Sequence, residues 1–315
     1  MARARGFIIV ANDELKMDLH INYWRCTKDR NTIVIDFGMM VQNANIFQWM
    51  KIFLPFRHVS IMDLGSAMYR SRMVDVIFNE KLCTIYVGEE SHFYRVQSMA
   101  QQSKEFGIYE IHKSSLTMEE ICEGVVVEIK PKSGELSAIQ AIGQCYFRFR
   151  VKTEFNYAGE TFTKSKTTAS FLYSEIEESE KISIRINNSR DVPEQLSEYF
   201  EREKNTTKMC DVQWVRLFVI ASFRNRIETA PSYGQYTTRK LENELWEAYL
   251  GDEIDLRGEW ICHYWKMNSP DQNKHYSFLC ELREKRSNWR IIIVYIITLL
   301  LLDMVSNWLW EFCIF

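Results

Sequence analysis

The closing stretch from Asn288 to Phe315 constrains this chain more than any other part of it. From Ile291 to Trp310 it contains no lysine or arginine, but five Ile, five Leu and two Val. A helix of about 20 residues rises roughly 30 Å, which matches the hydrocarbon core of a bilayer. Those aliphatic side chains, at roughly −0.3 to −0.6 kcal/mol each, favour insertion by about 5 kcal/mol. Asp303 offsets about 2.5 to 3.5 kcal/mol if central, and less where it lies, past the midpoint. Ser306 and Asn307 reduce the margin further. The balance predicts a transmembrane helix over 289–313, ahead of an interfacial helix or one buried in protein.

The flanks set an expected orientation. Arg283, Lys285, Arg286 and Arg290 precede the run and no basic residue follows it. A positive-inside flank would hold the N-terminal bulk in the cytoplasm, as a single-pass protein of the cell inner membrane. The apolar run Phe7 to Ala11 is too short for a signal peptide. At 100° per residue, Asp303, Ser306, Asn307 and Glu311 share an arc of about 140°. A polar stripe on a lipid-facing helix is costly, so it should meet protein or water. The expected partners are therefore the lipid bilayer and, through the membrane helix, another copy of the chain or a partner subunit. The stripe could also mark where the helix leaves the bilayer for the far headgroups.

At 315 residues the chain has room for two soluble domains besides this segment. A net charge of −3 argues against a broad electrostatic grip on nucleic acid. Eight cysteines occur without a Cys-x-x-Cys pair and read as reduced core residues. Cys262, His263, His275 and Cys280 match no familiar zinc spacing, and neighbours on a strand point to opposite faces. No metal and no cofactor are expected.

The fold class expected is α+β: a β-rich cytosolic body followed by the one C-terminal transmembrane helix. Residues 1–107 read as a mixed α/β or α+β domain, with strands at 7–11, 19–24, 32–37, 58–62, 73–78, 83–88 and 92–96. Helices are expected over 43–54 and 64–72. Residues 108–190 read as antiparallel and β-rich, with "EIEESEK" (175–181) as an acidic connection. Residues 191–288 read as helices plus a juxtamembrane β-hairpin. Within them, 212–223 is strand or helix, 237–250 is a helix ended by Gly251, and 257–267 pairs with 274–284. Along 147–152, Phe147, Phe149 and Val151 alternate with Arg148, Arg150 and Lys152. That pattern places the aromatics inside and the bases outside an ordinary amphipathic strand, ahead of a single-strand nucleic-acid face.

No motif names a reaction. "IDFG" (35–38) has the form of a kinase metal-binding turn without the Gly-rich loop or His-Arg-Asp loop that would accompany it. No P-loop, dinucleotide fingerprint, His-Glu-x-x-His or Gly-x-Ser-x-Gly occurs. The helix at Ile291 to Trp310, the strand start "GEW" (258–260) and the overall size resemble membrane effectors of bacterial antiphage systems, of the retron or CBASS (cyclic-nucleotide-signalling) kind. The resemblance implies a sensing or regulatory body, a helix that damages the inner membrane on activation, and a regulatory protein or ribonucleoprotein partner. The function expected is thus a non-enzymatic effector or toxin. The alternatives are a passive binding or scaffolding module at the membrane and a membrane-bound enzyme with an unrecognised site.

Overall fold

The computed structural model describes residues 5–71, 73–86, 92–100, 105–168, 175–202, 207–229, 234–252, 254–268, 275–287 and 289–313. The first third forms β1 (Ile8–Ala11), β2 (Lys16–Trp24), β3 (Thr32–Val41), β4 (Met50–Leu54) and β5 (Ser60–Asp63). Two short helices, α1 (Gly65–Arg70) and α2 (Val74–Phe78), lead to β6 (Leu82–Tyr86), β7 (Phe93–Ser98) and β8 (Glu105–Tyr109). The middle forms β9 (Leu116–Ile121), β10 (Gly124–Ile129), α3 (Ser133–Ile142), β11 (Cys145–Glu154), β12 (Phe162–Thr168) and β13 (Glu175–Ile186). Then come α4 (Glu194–Glu201), β14 (Lys208–Met209), β15 (Asp211–Ser222), β16 (Arg226–Thr229) and β17 (Gln235–Lys240). The chain closes with α5 (Asn243–Leu250), β18 (Trp260–Asn268), β19 (Tyr276–Ser287) and α6 (Trp289–Cys313).

The strands make three sheets. The largest has ten, in the order β17-β18-β15-β2-β3-β11-β8-β7-β6, with β5 also paired to β11. It draws strands from each of the segments 1–107, 108–190 and 191–288. Its pairs are antiparallel except β15 with β2 and β11 with β8. A five-stranded sheet runs β14-β1-β4-β10-β9, and a four-stranded one β12-β13-β19-β16.

Period-two alternation explains how they stack. Leu19, Ile21 and Tyr23 on β2, Ile35, Phe37 and Met39 on β3, and Phe147, Phe149 and Val151 on β11 all turn to one face. There they meet the inner faces of the two smaller sheets in one continuous core. Burying each such side chain contributes about 1.5 to 3 kcal/mol. The opposite face of the large sheet is covered by α1, α2 and α5, with Met68, Val74, Trp246 and Leu250 packing on Trp24, Val34 and Ile220. On the far side of the five-stranded sheet, Leu196 and Phe200 of α4 close a third layer over Ile8, Val10, Phe53 and Val126.

The β-rich character expected of the body is present; several local expectations are corrected. Residues 43–54 are not a helix: a single 3-10 turn at Ala44–Ile46 precedes β4, whose five residues are buried on both faces. Residues 73–78 form α2 rather than a strand, because Met73 and Val74 are needed as a roof over the large sheet. The acidic stretch 175–181 is the first half of β13, with Lys285 in register opposite Glu177. Residues 212–223 resolve as β15, and 237–250 divides into β17 and α5, with Gly251 as the C-cap. The anticipated hairpin does not form: β18 joins the large sheet and β19 the four-stranded one.

The membrane assignment is also corrected. α6 is a helix of 25 residues, but among the described residues no helix is long and apolar enough to cross a membrane. Asp303 lies within α6, a carboxylate that a bilayer core disfavours. This overturns the transmembrane part of the expected fold class. It equally overturns the single-pass inner-membrane location. Arg283 is not a free flanking charge, since it pairs with Glu228 and Glu281, both at 3.1 Å, on the surface of the four-stranded sheet. Lys285 and Arg286 are residues of β19 and Arg290 of α6, but their side chains lie outside the described residues.

Candidate functional site

Between the helix-covered face of the large sheet and its roof lies a cleft of about 410 Å³. That volume falls in the range of roughly 300 to 1,000 Å³ typical of small-molecule sites. Its floor is written in the strand register. Lys266 of β18 lies opposite Arg216 of β15, Arg216 beside His20 of β2, His20 opposite Gly38 of β3, and Gly38 opposite Arg148 of β11. Five adjacent strands, each about 4.8 Å from the next, thus carry one row of two cations, a histidine, a glycine and a third cation. Two residues further along the strands the floor is Tyr264, Phe218 and Asn22, and the row continues outside the cleft lining as Asp36 and Arg150. Two further on it is Cys262, Ile220, Trp24 and Val34. Phe78 of α2 and Trp246 of α5 form part of the walls, and exposed Arg239 of β17 lies at the rim.

Gly38 is required by close approach. A Cβ there would stand 2.0 Å from the Tyr146 hydroxyl oxygen and 3.0 Å from Arg148 Nη1. The gap lets Tyr146 lie across β3 towards β2. His20 Nε2 is 2.6 Å from Arg216 Nη1, and a guanidinium can only donate, so Nε2 accepts. Nδ1 then carries the proton and donates to the Tyr146 hydroxyl at 3.1 Å. The same hydroxyl accepts from Arg148 Nη1 at 2.8 Å. Burial, and then the charges of Arg216 and Arg148, hold the His20 imidazole well below its usual range, so it is neutral.

Behind the floor sits a buried ionic cluster. Asp36 accepts from Arg150 Nε at 2.7 Å and Nη2 at 3.2 Å, from Trp24 Nε1 at 2.8 Å and from the Tyr249 hydroxyl at 3.1 Å. Arg150 Nη1 donates to the Leu250 carbonyl at 2.7 Å, which ties α5 to the sheet. Arg148 donates through Nε to Tyr249, but its Nη2 stays 3.9 Å from Asp36 and makes no hydrogen bond. Two fully buried guanidiniums therefore share one carboxylate. An uncompensated buried charge is expensive, so an incoming anion would be favoured near Arg148.

The remaining charges reinforce this polarity. Arg216 also sets its positive charge beside Tyr264, and Lys266 Nζ lies 4.3 Å from the Trp214 ring centroid. Among the described residues no carboxylate lines the cleft. Asp18, two residues before His20 on β2, has its carboxyl raised by burial against the pull of Arg216 and Lys266. Two further buried polar atoms at the cleft have no hydrogen-bond partner: Asn22 Oδ1 and Trp246 Nε1. Cys262 cannot act as a ready nucleophile, because burial pushes its thiol up to about 11.

The residues singled out from sequence lie elsewhere. Asp303 and Ser306 are exposed on α6; Asn307 and Glu311 have side chains outside the described residues. Arg283 is on the four-stranded sheet. Cys262 faces the cleft, whereas His263 faces the other side of β18 and bonds Tyr236 at 2.9 Å; Cys280 lies in the central core. The alternation at 147–152 is as expected, but Arg148 and Arg150 are buried rather than outward to solvent, because α5 covers them. Sequence reasoning missed Asp36 and Gly38 as site residues. The available signal was a lone carboxylate inside the apolar strand "TIVIDFGMMV", which demands a buried partner. No family model matches the chain, and no curated protein matches it.

Proposed function

We propose that this chain is a non-enzymatic binding protein whose β-rich body takes a phosphate-bearing small molecule into the cleft of the large sheet. The observation that carries the reading is the five-strand row Lys266–Arg216–His20–Gly38–Arg148, three cations with a neutral imidazole and a glycine between them, and no lining carboxylate among the described residues. Charge-assisted hydrogen bonds to such a row are worth about 1.5 to 3 kcal/mol each. His20 has both ring nitrogens engaged and the Cys262 thiol is held protonated, which supports binding over catalysis. The reading keeps the sensing half of the effector architecture and does not depend on what surrounds α6.

Isothermal titration calorimetry of the full chain with ribose 5-phosphate and with inorganic phosphate tests it. Saturable binding of either, weakened at least tenfold by Arg216→Ala and by raised salt, is expected. No heat from either ligand, or an unchanged affinity in the variant, would sink the proposal.

A further inference from the structure

The three rows of the floor differ in chemistry along the strand direction. The first is cationic and half-buried at Arg216 and Lys266. The second presents Phe218 and Tyr264, themselves half-buried and stacked on each other with centroids 4.7 Å apart. The third is walled by Trp24 and Trp246, whose centroids are 5.3 Å apart. Rows repeat every two residues, so the first and third lie roughly 13 Å apart. A ligand that is charged throughout would leave the aromatic end unused, and an apolar one would strand the cations.

The unpartnered atoms refine the choice. Asn22 Oδ1 accepts hydrogen bonds and Trp246 Nε1 donates them, both side chains are only 5% exposed, and both line the cleft. Buried polar atoms without partners are rare in native proteins. Together they call for a planar ring that offers a donor close to an acceptor. The edges of nucleobases carry that combination.

From this juxtaposition we infer that the cleft is a nucleoside monophosphate site, with the phosphate over Arg216 and Lys266 and the base at the Asn22–Trp246 end. The inference rests on the phosphate-binding reading above and adds the base. The aromatic floor supports a planar ring by stacking, worth more for a base than for a sugar alone. Asn22 and Trp246 then supply base recognition, while the cationic row supplies most of the attraction. The cavity volume suits one nucleotide.

The test titrates the full chain with AMP, CMP and ribose 5-phosphate, in wild type, Asn22→Ala and Trp246→Phe. Trp246→Phe keeps an aromatic ring while removing the indole N–H with the rest of the five-membered ring, and it gives a second variant should Asn22→Ala unfold. At least one nucleotide should bind tenfold or more tighter than ribose 5-phosphate, and Trp246→Phe should shrink that ratio at least threefold. If ribose 5-phosphate binds and both nucleotides match it within twofold, the base site is refuted and the phosphate site stands. A nucleotide preference untouched in every folded variant would overturn the assigned recognition atoms. If none of the three ligands binds, the nucleotide site is refuted, and the phosphate reading falls with it if inorganic phosphate gives no heat either.

Discussion

The two faces of the large sheet use the same strands to opposite ends. On one, Phe37, Phe147, Phe149 and Val151 pack into a dry core, where any residue of similar size and apolarity would serve. On the other, Asp36, Gly38, Arg148 and Arg150 alternate with them one residue away, equally buried but joined by directional bonds. The apolar face stabilises through area, whereas the polar face is stable only while each charge keeps its partner. A sheet can thus hold its fold on one side and keep an imbalance of charge on the other. Arg148, fully buried with one nitrogen unpaired, is that imbalance.

The strongest way to break this contrast is Asp36→Ala. It removes the carboxylate shared by Arg148 and Arg150, and should cost about 3 to 5 kcal/mol in urea denaturation. A loss below about 1 kcal/mol would show that the two guanidiniums do not depend on it. Gly38→Ala comes next. The added Cβ collides with Tyr146 and displaces its link to His20 and Arg148. An unfolding penalty of about 1 to 3 kcal/mol is expected, with weaker phosphate binding in calorimetry; unchanged values for both would remove the glycine from the site.

The smallest effect is a pH dependence. The folded pKa of His20 is depressed below 6.5, so the unfolded chain binds the extra proton first as pH falls. The stability His20 contributes is present above about pH 6.5 and is lost as pH falls below it. The thermal midpoint of His20→Gln should therefore drop less than that of wild type between pH 7 and pH 5. Parallel curves would mean that His20 is not held neutral.

Some of this architecture was legible without coordinates. Alternation at 147–152 separates the aromatic residues from the bases on opposite faces of a strand, and it holds because the β-backbone repeats every two residues whatever surrounds it. The same locality makes Gly251 a readable helix end. Residues 43–54 and 73–78 went the other way, since a short apolar run fits either a helix or a buried strand until its neighbours are known. Sequence also suggested a transmembrane segment at α6, which the described residues do not support.

What the sequence alone determined is the set of local periods: which residues share a strand face, where Gly251 ends a helix, and that 289–313 is helical. Tertiary structure decided what each face meets. Lys266, Arg216, His20 and Arg148 stand scattered from position 20 to position 266, and strand pairing alone brings them into one row. Whether Arg148 and Arg150 face water or lie buried depended on α5, about a hundred residues later in the chain, closing over them. Period is a property of the backbone and can be read from neighbours in sequence. Burial and charge balance are properties of the assembled layers, and so they exist only once the chain has folded.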